Sequence, residues 1–204
     1  MEKEIQDRTH EVAVANEQLK ALAMQDGMLG IGNRRAMEVD IEVSHANYQR
    51  YSRQYSCALV DVDYFKIYND AYGHQAGDEA LIKVTNSIKK TLRCSDRVYR
   101  YGGEEFLLLL PETNLQEAAR AVTRVLDNLN RLQLPHGKSP LSIITVSAGI
   151  STSDTHENWA ALVQEADRFL YDAKKSGRNQ VCWNIDALLS KSDGDINSSA
   201  RRAS

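Results

Sequence analysis

The 204-residue chain carries 25 Lys and Arg against 28 Asp and Glu, a formal net charge of −3, and is 42% hydrophobic. That length suits one well-packed domain with an added helix or tail, and the near-neutral balance supplies no basic field for sequence-independent binding to duplex DNA. A mean hydropathy of −0.48 without a long apolar run gives no candidate membrane span. No charged-then-apolar leader is read at the start, and Cys57, Cys94 and Cys182 are scattered without CxxC spacing. They fit reduced thiols in a cytoplasmic protein better than a zinc site or a disulfide framework.

The segment 1–25 lacks Gly and Pro, and Ile5, Val12 and Leu19 recur at heptad spacing with Ala15 and Leu22 beside them. It predicts an amphipathic coiled-coil or linker helix with a narrow seam, suited to pairing with a second copy. Arg8 interrupts that seam, and a single solvated helix is the competing reading. Asp26-Gly27, Gly30 and Gly32 end the helix, and a domain over 26–185 follows. Its first helix runs from after Asn33 to about Tyr51. Ser56 to Asp63 is an apolar, β-rich run that predicts a central strand buried on both faces.

Asp78 to Thr91 has helical period, with Ala80, Leu81, Val84 and Ile88 on its apolar face. Strands at Arg97–Tyr101 and Phe106–Leu110 flank Gly102-Gly103-Glu104-Glu105, which reads as a hairpin. A helix over Leu115–Leu132, a strand over Leu141–Ile150 and a helix over Glu157–Lys175 complete the main body. Gly177 stops the last helix, with Lys174 and Lys175 favourably placed at its C-terminus. A short strand at Gln180–Trp183 precedes a Ser/Asp/Asn-rich tail over 186–204, predicted to be disordered. This order of elements suits an α+β sheet with helices on its faces and carboxylates at strand ends.

Asp61 and Asp63 close the central strand with side chains on one side, a natural place for Mg²⁺, which prefers oxygen ligands. Asp is also common in strand-ending turns. The hairpin adds a second acidic pair, Glu104 and Glu105, beside two glycines that keep side chains clear of a ligand. Two acidic clusters on separate strands suit metal-assisted phosphoryl transfer.

Gly102-Gly-Glu-Glu-Phe106 resembles the defining motif of the GGDEF-domain diguanylate cyclases, in its GGEEF form. Asp61-Val-Asp-Tyr-Phe-Lys-Ile-Tyr-Asn-Asp70 is similar to that family's DxDxFKxxND. Gly73-His74 with Gly77-Asp78 matches GHxxGD, and Ala173-Lys174 through Gly177-Arg178-Asn179 matches AKxxGRN. The resemblance runs from about Asp26 to Trp183. It implies a GGDEF fold, a mainly antiparallel central sheet flanked by helices as in nucleotide cyclases and polymerase palms. It further implies condensation of two GTP into cyclic di-GMP by a homodimer.

By the same resemblance Asp61, the Val62 carbonyl and Glu104 hold Mg²⁺, with Mn²⁺ the other candidate and two ions expected per site. Glu104 accepts the proton of the attacking hydroxyl, Lys66 stabilises the transferred phosphate, and Glu105 contributes charge. Phe65, Asn69, His74 and Asp78 line the guanine side, where a carboxylate can accept from guanine's N–H donors, while Lys174 and Arg178 bind the triphosphate. Arg93-Cys-Ser-Asp96 matches the family's RxxD product-inhibition site, which Arg124 could join. A non-catalytic receptor for cyclic di-GMP or GTP is the competing class. Two departures stand out: Met28-Leu29 replaces Leu-Thr in the opening DxLTG, and Tyr64 takes a place often held by His. The heptad segment also implies a linker to an N-terminal sensor domain not included in this chain.

Overall fold

The computed structural model describes Arg8 and residues 23–184. The predicted helix over 1–25, apart from Arg8 and residues 23–25, and the predicted tail over 186–204 lie outside the described residues. In chain order the elements are β1 (Gly32–Asn33), α1 (Arg34–Tyr51), β2 (Tyr55–Val62), α2 (Phe65–Tyr72), α3 (His74–Thr91), β3 (Arg97–Gly102) and β4 (Glu105–Pro111). They continue with α4 (Leu115–Arg131), β5 (Val146–Thr152), α5 (Trp159–Lys175) and β6 (Val181–Cys182). The six strands form one sheet in the order β1-β3-β4-β2-β5-β6. Its central pairs are antiparallel, and the short edge strands β1 and β6 pair in parallel with β3 and β5.

Every residue of β2 is buried, because helices cover both faces of the sheet. Strand alternation divides its side chains between two cores. Ala58, Val60 and Val62 join Phe106, Leu108 and Leu110 beneath Val84 and Ile88 of α3 and Val122 and Val125 of α4. Cys57 and Leu59 join Leu107 and Leu109 on the opposite face, beneath Met37 and Ile41 of α1 and Leu162 and Leu170 of α5. Each such aliphatic side chain contributes about 1.5–3 kcal/mol on burial, so the strand that ends at the carboxylates is firmly held. Asparagines start three of the covering helices: Asn33, Asn114 and Asn158 each accept a backbone N–H of the first turn. Asn114 and Glu117 complete a capping box, worth about 1 kcal/mol.

Several boundaries differ from the sequence expectation. Helix α2 has no counterpart in it: the helix has eight residues and begins after Tyr64, at φ 57°, without a side-chain cap. Neither a cap nor two turns of periodicity marks it in the sequence. Helix α3 starts at His74 rather than Asp78, immediately after Gly73 at φ 86°. Strand β5 starts at Val146 rather than Leu141, because Ser142 is left-handed at φ 58° and only an isolated bridge joins Pro135 to Ile143. The two-residue strand β1 is also new.

Candidate active site

The hairpin joining β3 to β4 is fixed by its turn chemistry. Gly102 pairs with Glu105, leaving Gly103 and Glu104 as the two-residue turn, and Gly103 takes φ 37°. Glycine is favoured where the first central residue of such a turn needs positive φ. Arg100 Nε donates to the Gly103 carbonyl at 2.9 Å, and the Val62 amide donates to the Glu104 carbonyl at 3.4 Å. Both sides of the turn are thereby tied to neighbouring strands. Glu105, expected at the tip, instead opens β4 directly opposite Asp61.

Opposed carboxylates on one sheet face repel, and this pair is also half-sequestered. Burial, with Glu104 and Glu105 adding to it and Lys174 opposing, pushes the Asp61 carboxyl up to about 6. Glu105 is raised by burial as well, with Asp167 and Glu104 adding to the rise and Lys174 opposing it. Lys174, on the last turn of α5, places Nζ 2.9 Å from Asp61 Oδ2. A buried acidic site partly neutralised by one ammonium suits a hard cation. Among the described residues no three His, Cys, Asp or Glu side chains gather as a metal cage. The donor set therefore fits Mg²⁺, which keeps waters and substrate phosphate oxygens as ligands, better than an ion needing an all-protein shell.

Asp63 does not share this mouth with Asp61, contrary to the reading from spacing. Its Oδ2 accepts from Thr145 Oγ1 at 2.7 Å and from the Asn179 amide at 3.1 Å, and its Oδ1 accepts from Ser147 Oγ at 2.7 Å. The hydroxyls and the amide occupy its lone pairs, so it organises the protein instead of offering a second metal ligand.

Helices α2 and α3 supply the other motif residues. Lys66, His74 and Asp78 are exposed, while Phe65 is packed into the core. Asn69 Oδ1 is buried and has no hydrogen-bond partner among the described residues. Such an orphan acceptor is costly and marks a place for a ligand's donor. Gly77 lies against it: a Cβ there would fall on Asn69 Oδ1 and within 3.2 Å of Phe65 Cζ. The glycine of GHxxGD thus leaves room for the asparagine of DxDxFKxxND.

The final motif turns through three left-handed residues, Gly177 at φ 114°, Arg178 at 65° and Asn179 at 47°. The Arg178 guanidinium lies 4.5 Å from the Tyr64 ring centroid, with Nη1 3.4 Å from Tyr64 Oη and Nε 4.0 Å from Asp63 Oδ1. No periodicity or spacing points to Thr145 or Ser147, and the motif marked Tyr64 only as a departure; each matters through a contact between distant segments.

Arg93 and Asp96 lie in the turn before β3, where the Arg93 amide donates to Asp96 Oδ2 at 2.9 Å. Both line a cavity of about 320 Å³ with Lys89, Cys94 and Arg97. Arg124 is exposed on α4 and does not line it. A larger cavity of about 540 Å³, between the C-terminal turns of α3 and α4, contains none of the motif residues. At the opening motif, Asp26 Oδ1 accepts from the amides of Met28 and Leu29 at 3.1 and 2.8 Å, and its Oδ2 pairs with Arg100 Nη1 at 3.0 Å. Leu29, in place of the threonine, joins the core beneath α3 and α4.

Comparison with known proteins identifies the family. The family model "Diguanylate cyclase, GGDEF domain" matches residues 23–180. Probable diguanylate cyclase DgcC of Escherichia coli K12 is 35% identical over 164 residues, 80% of this chain and 44% of that protein. The chain spans less than half the length of the curated relatives it matches. Among solved structures, the coiled coil and GGDEF domain of DgcB from Caulobacter crescentus, in complex with c-di-GMP, superposes with a TM-score of 0.78 at 28% identity, covering 90% of this chain and 98% of that one. Diguanylate cyclase SiaD of Pseudomonas aeruginosa, in complex with its activator SiaC, gives a TM-score of 0.75 at 36% identity, covering 88% of this chain and 69% of that one. Over residues 23–180 the chain belongs to the diguanylate cyclase, GGDEF-domain family.

Proposed function

We propose that this domain is an active diguanylate cyclase, condensing two GTP into cyclic di-GMP with release of two pyrophosphates. The observation that carries the reading is the convergence of Asp61, Glu105 and Lys174 beneath the Glu104 turn. Asp61, the Val62 carbonyl and Glu104 would hold Mg²⁺ or Mn²⁺, two ions being expected per site. A bound ion neutralises charge on the α-phosphate and on the attacking and leaving oxygens.

The rest falls to the chain's own groups. Glu104, on the exposed turn, takes the proton of the 3′-hydroxyl as its oxygen bonds to the α-phosphorus and the bond to pyrophosphate breaks. Lys66 faces the charge that builds on the transferred phosphoryl group, and Glu105 sustains the negative field that draws cations in. Asn69 Oδ1 accepts from a guanine N–H donor, and Asp78 accepts from another, whereas adenine's N1 acceptor would meet repulsion. Phe65 and His74 border the base. Lys174 and Arg178 would bind the triphosphate.

One such site holds one GTP, so ring closure needs two domains facing each other as a homodimer. A paired helix over 1–25 would raise their effective concentration and connect to an N-terminal sensor domain. Product returning to Arg93 and Asp96, with Arg124 contributing from a second face, would inhibit the enzyme. The setting is the cytoplasm, where GTP is available; no helix among the described residues is long and apolar enough to cross a membrane.

Incubation with GTP and Mg²⁺, with products identified by mass, tests the reading. Cyclic di-GMP with pyrophosphate, lost in Glu104→Gln, is the expected result. GTP or cyclic di-GMP binding without turnover, at high protein concentration and after removal of bound product, would instead mean a receptor.

A further inference from the structure

We infer that Tyr64 is a positioning residue for Arg178, holding the guanidinium against its ring and so pre-organising it for phosphate. The inference rests on Arg178 being a triphosphate ligand, as proposed above. An arginine on a surface loop has rotamer entropy to lose on binding, and Arg178 is part-exposed on a loop of three consecutive left-handed residues. Non-glycine residues hold that conformation only where the surroundings over-determine it. Here the Arg178 amide donates to the Ala173 carbonyl at 3.0 Å. The Asn179 amide donates to buried Asp63, and Asn179 Oδ1 accepts from Asn130 Nδ2 at 3.0 Å.

With the backbone fixed, the side chain lies against Tyr64, with Asp63 beside it. The Tyr64 ring centroid lies 4.5 Å from the guanidinium carbon, within cation–ring range. The hydroxyl contact, at 3.4 Å, is too long to carry the interaction. Asp63 Oδ1, at 4.0 Å, is already committed to Ser147 and supplies charge without claiming a guanidinium donor. The backbone that carries the ring is itself fixed. Tyr64 sits at φ 57°, and its carbonyl accepts from the Tyr68 amide at 3.0 Å and from fully buried His136, through Nε2, at 3.3 Å. A planar cation held against a ring has less freedom to lose and is pre-organised for bidentate phosphate binding. The tyrosine that departs from the more frequent histidine is therefore a working part of the site.

The test compares Tyr64→Asn, which removes the ring but tolerates a left-handed backbone, with Tyr64→Phe, which keeps the ring. GTP dissociation constants and KM are measured for both, for Arg178→Ala, and for Tyr64→Asn combined with Arg178→Ala, with thermal melts confirming the fold. Tyr64→Asn should weaken GTP binding roughly three- to thirty-fold, the span of a cation–ring contact, with kcat little changed, and Tyr64→Phe should restore the affinity. In the Arg178→Ala background Tyr64→Asn should add less than about two-fold, because the two residues act through one interaction. Independent, multiplicative losses would overturn the positioning role, as would equal losses in Tyr64→Asn and Tyr64→Phe. If Arg178→Ala leaves GTP affinity unchanged, Arg178 is no phosphate ligand and the inference falls with that assignment. A wild-type chain that binds GTP without turnover would refute the cyclase reading, while these affinities would still decide the role of Tyr64.

Discussion

Lys174 Nζ lies 2.9 Å from Asp61 Oδ2, so a residue read as a phosphate ligand rests on a residue read as a metal ligand. The pair compensates only in part, because burial, Glu104 and Glu105 still raise Asp61 to about 6 against an ordinary value of 3.8. A carboxyl with a raised folded-state pKa binds its proton more tightly when folded, so stability falls as pH rises between those two values and is constant beyond them. The metal-free protein should lose on the order of 2–3 kcal/mol across that window. Asp61→Asn should remove that loss, and urea titrations at pH 4 and pH 7 of both proteins would show it. A wild-type-to-variant difference that does not change with pH would refute this account of the site.

Gly77→Ala separates binding from stability. The new methyl falls on Asn69 Oδ1, the far end of a side chain that can rotate aside, and alanine gains about 1 kcal/mol over glycine in a helix. Thermal stability should therefore change little. The buried acceptor is displaced, however, and GTP affinity should fall about ten-fold, equivalent to the roughly 1.4 kcal/mol expected for losing one buried hydrogen bond. Calorimetric titration of GTP into both proteins measures this, and equal affinities would remove Asn69 Oδ1 from recognition of the nucleotide.

These two residues show how far the sequence could be read. The motifs carrying Asn69, Gly77, Asp61 and Glu104 have local spacing, and the apolar run of β2 and the heptad-like face of α3 have plain periodicity, so the sheet centre and the carboxylate mouth were legible. Asp63 was not, because its hydroxyl partners Thr145 and Ser147 are more than eighty positions away and leave no local pattern. Helix α2 begins at a left-handed tyrosine without a cap, and the two-residue β1 owes its strand geometry to pairing with β3. Such features exist only once the tertiary structure has formed.

Arg100 links the opening motif to the hairpin turn, donating from Nη1 to Asp26 Oδ2 and from Nε to the Gly103 carbonyl. Burial raises the Asp26 carboxyl, but the Leu29 amide, the Arg100 side chain and the Met28 amide outweigh it and leave the pKa lowered. A lowered carboxyl stabilises the fold above its ordinary 3.8 and loses that contribution as pH falls through the folded value. Arg100→Ala should cost about 1–3 kcal/mol at neutral pH, and the deficit should shrink in acid. Arg100→Lys, retaining charge without the fork, should recover only part of it. Urea unfolding at both pH values decides the matter, and a deficit that grows in acid would contradict the role of Asp26.

Gly149 fixes how closely α5 lies on the sheet. It pairs with Leu59 in the middle of β5, and a Cβ at this position would fall on the Ala166 carbonyl oxygen and the Leu170 amide nitrogen of α5. Unlike the contact at Gly77, these atoms are backbone and cannot rotate aside, so the helix itself must shift. Overpacking in a closed core costs about 1–3 kcal/mol and occasionally more; the clash with main-chain atoms places Gly149→Ala at the upper end. Because Lys174 lies in the last turn of α5, the displacement also reaches the ion pair with Asp61. Gly149→Ala should therefore lower both the urea midpoint and GTP affinity, whereas Gly77→Ala lowers affinity alone. A Gly149→Ala protein of wild-type stability would show that α5 can back away from β5 at little cost, and that Lys174 is positioned by something other than this contact.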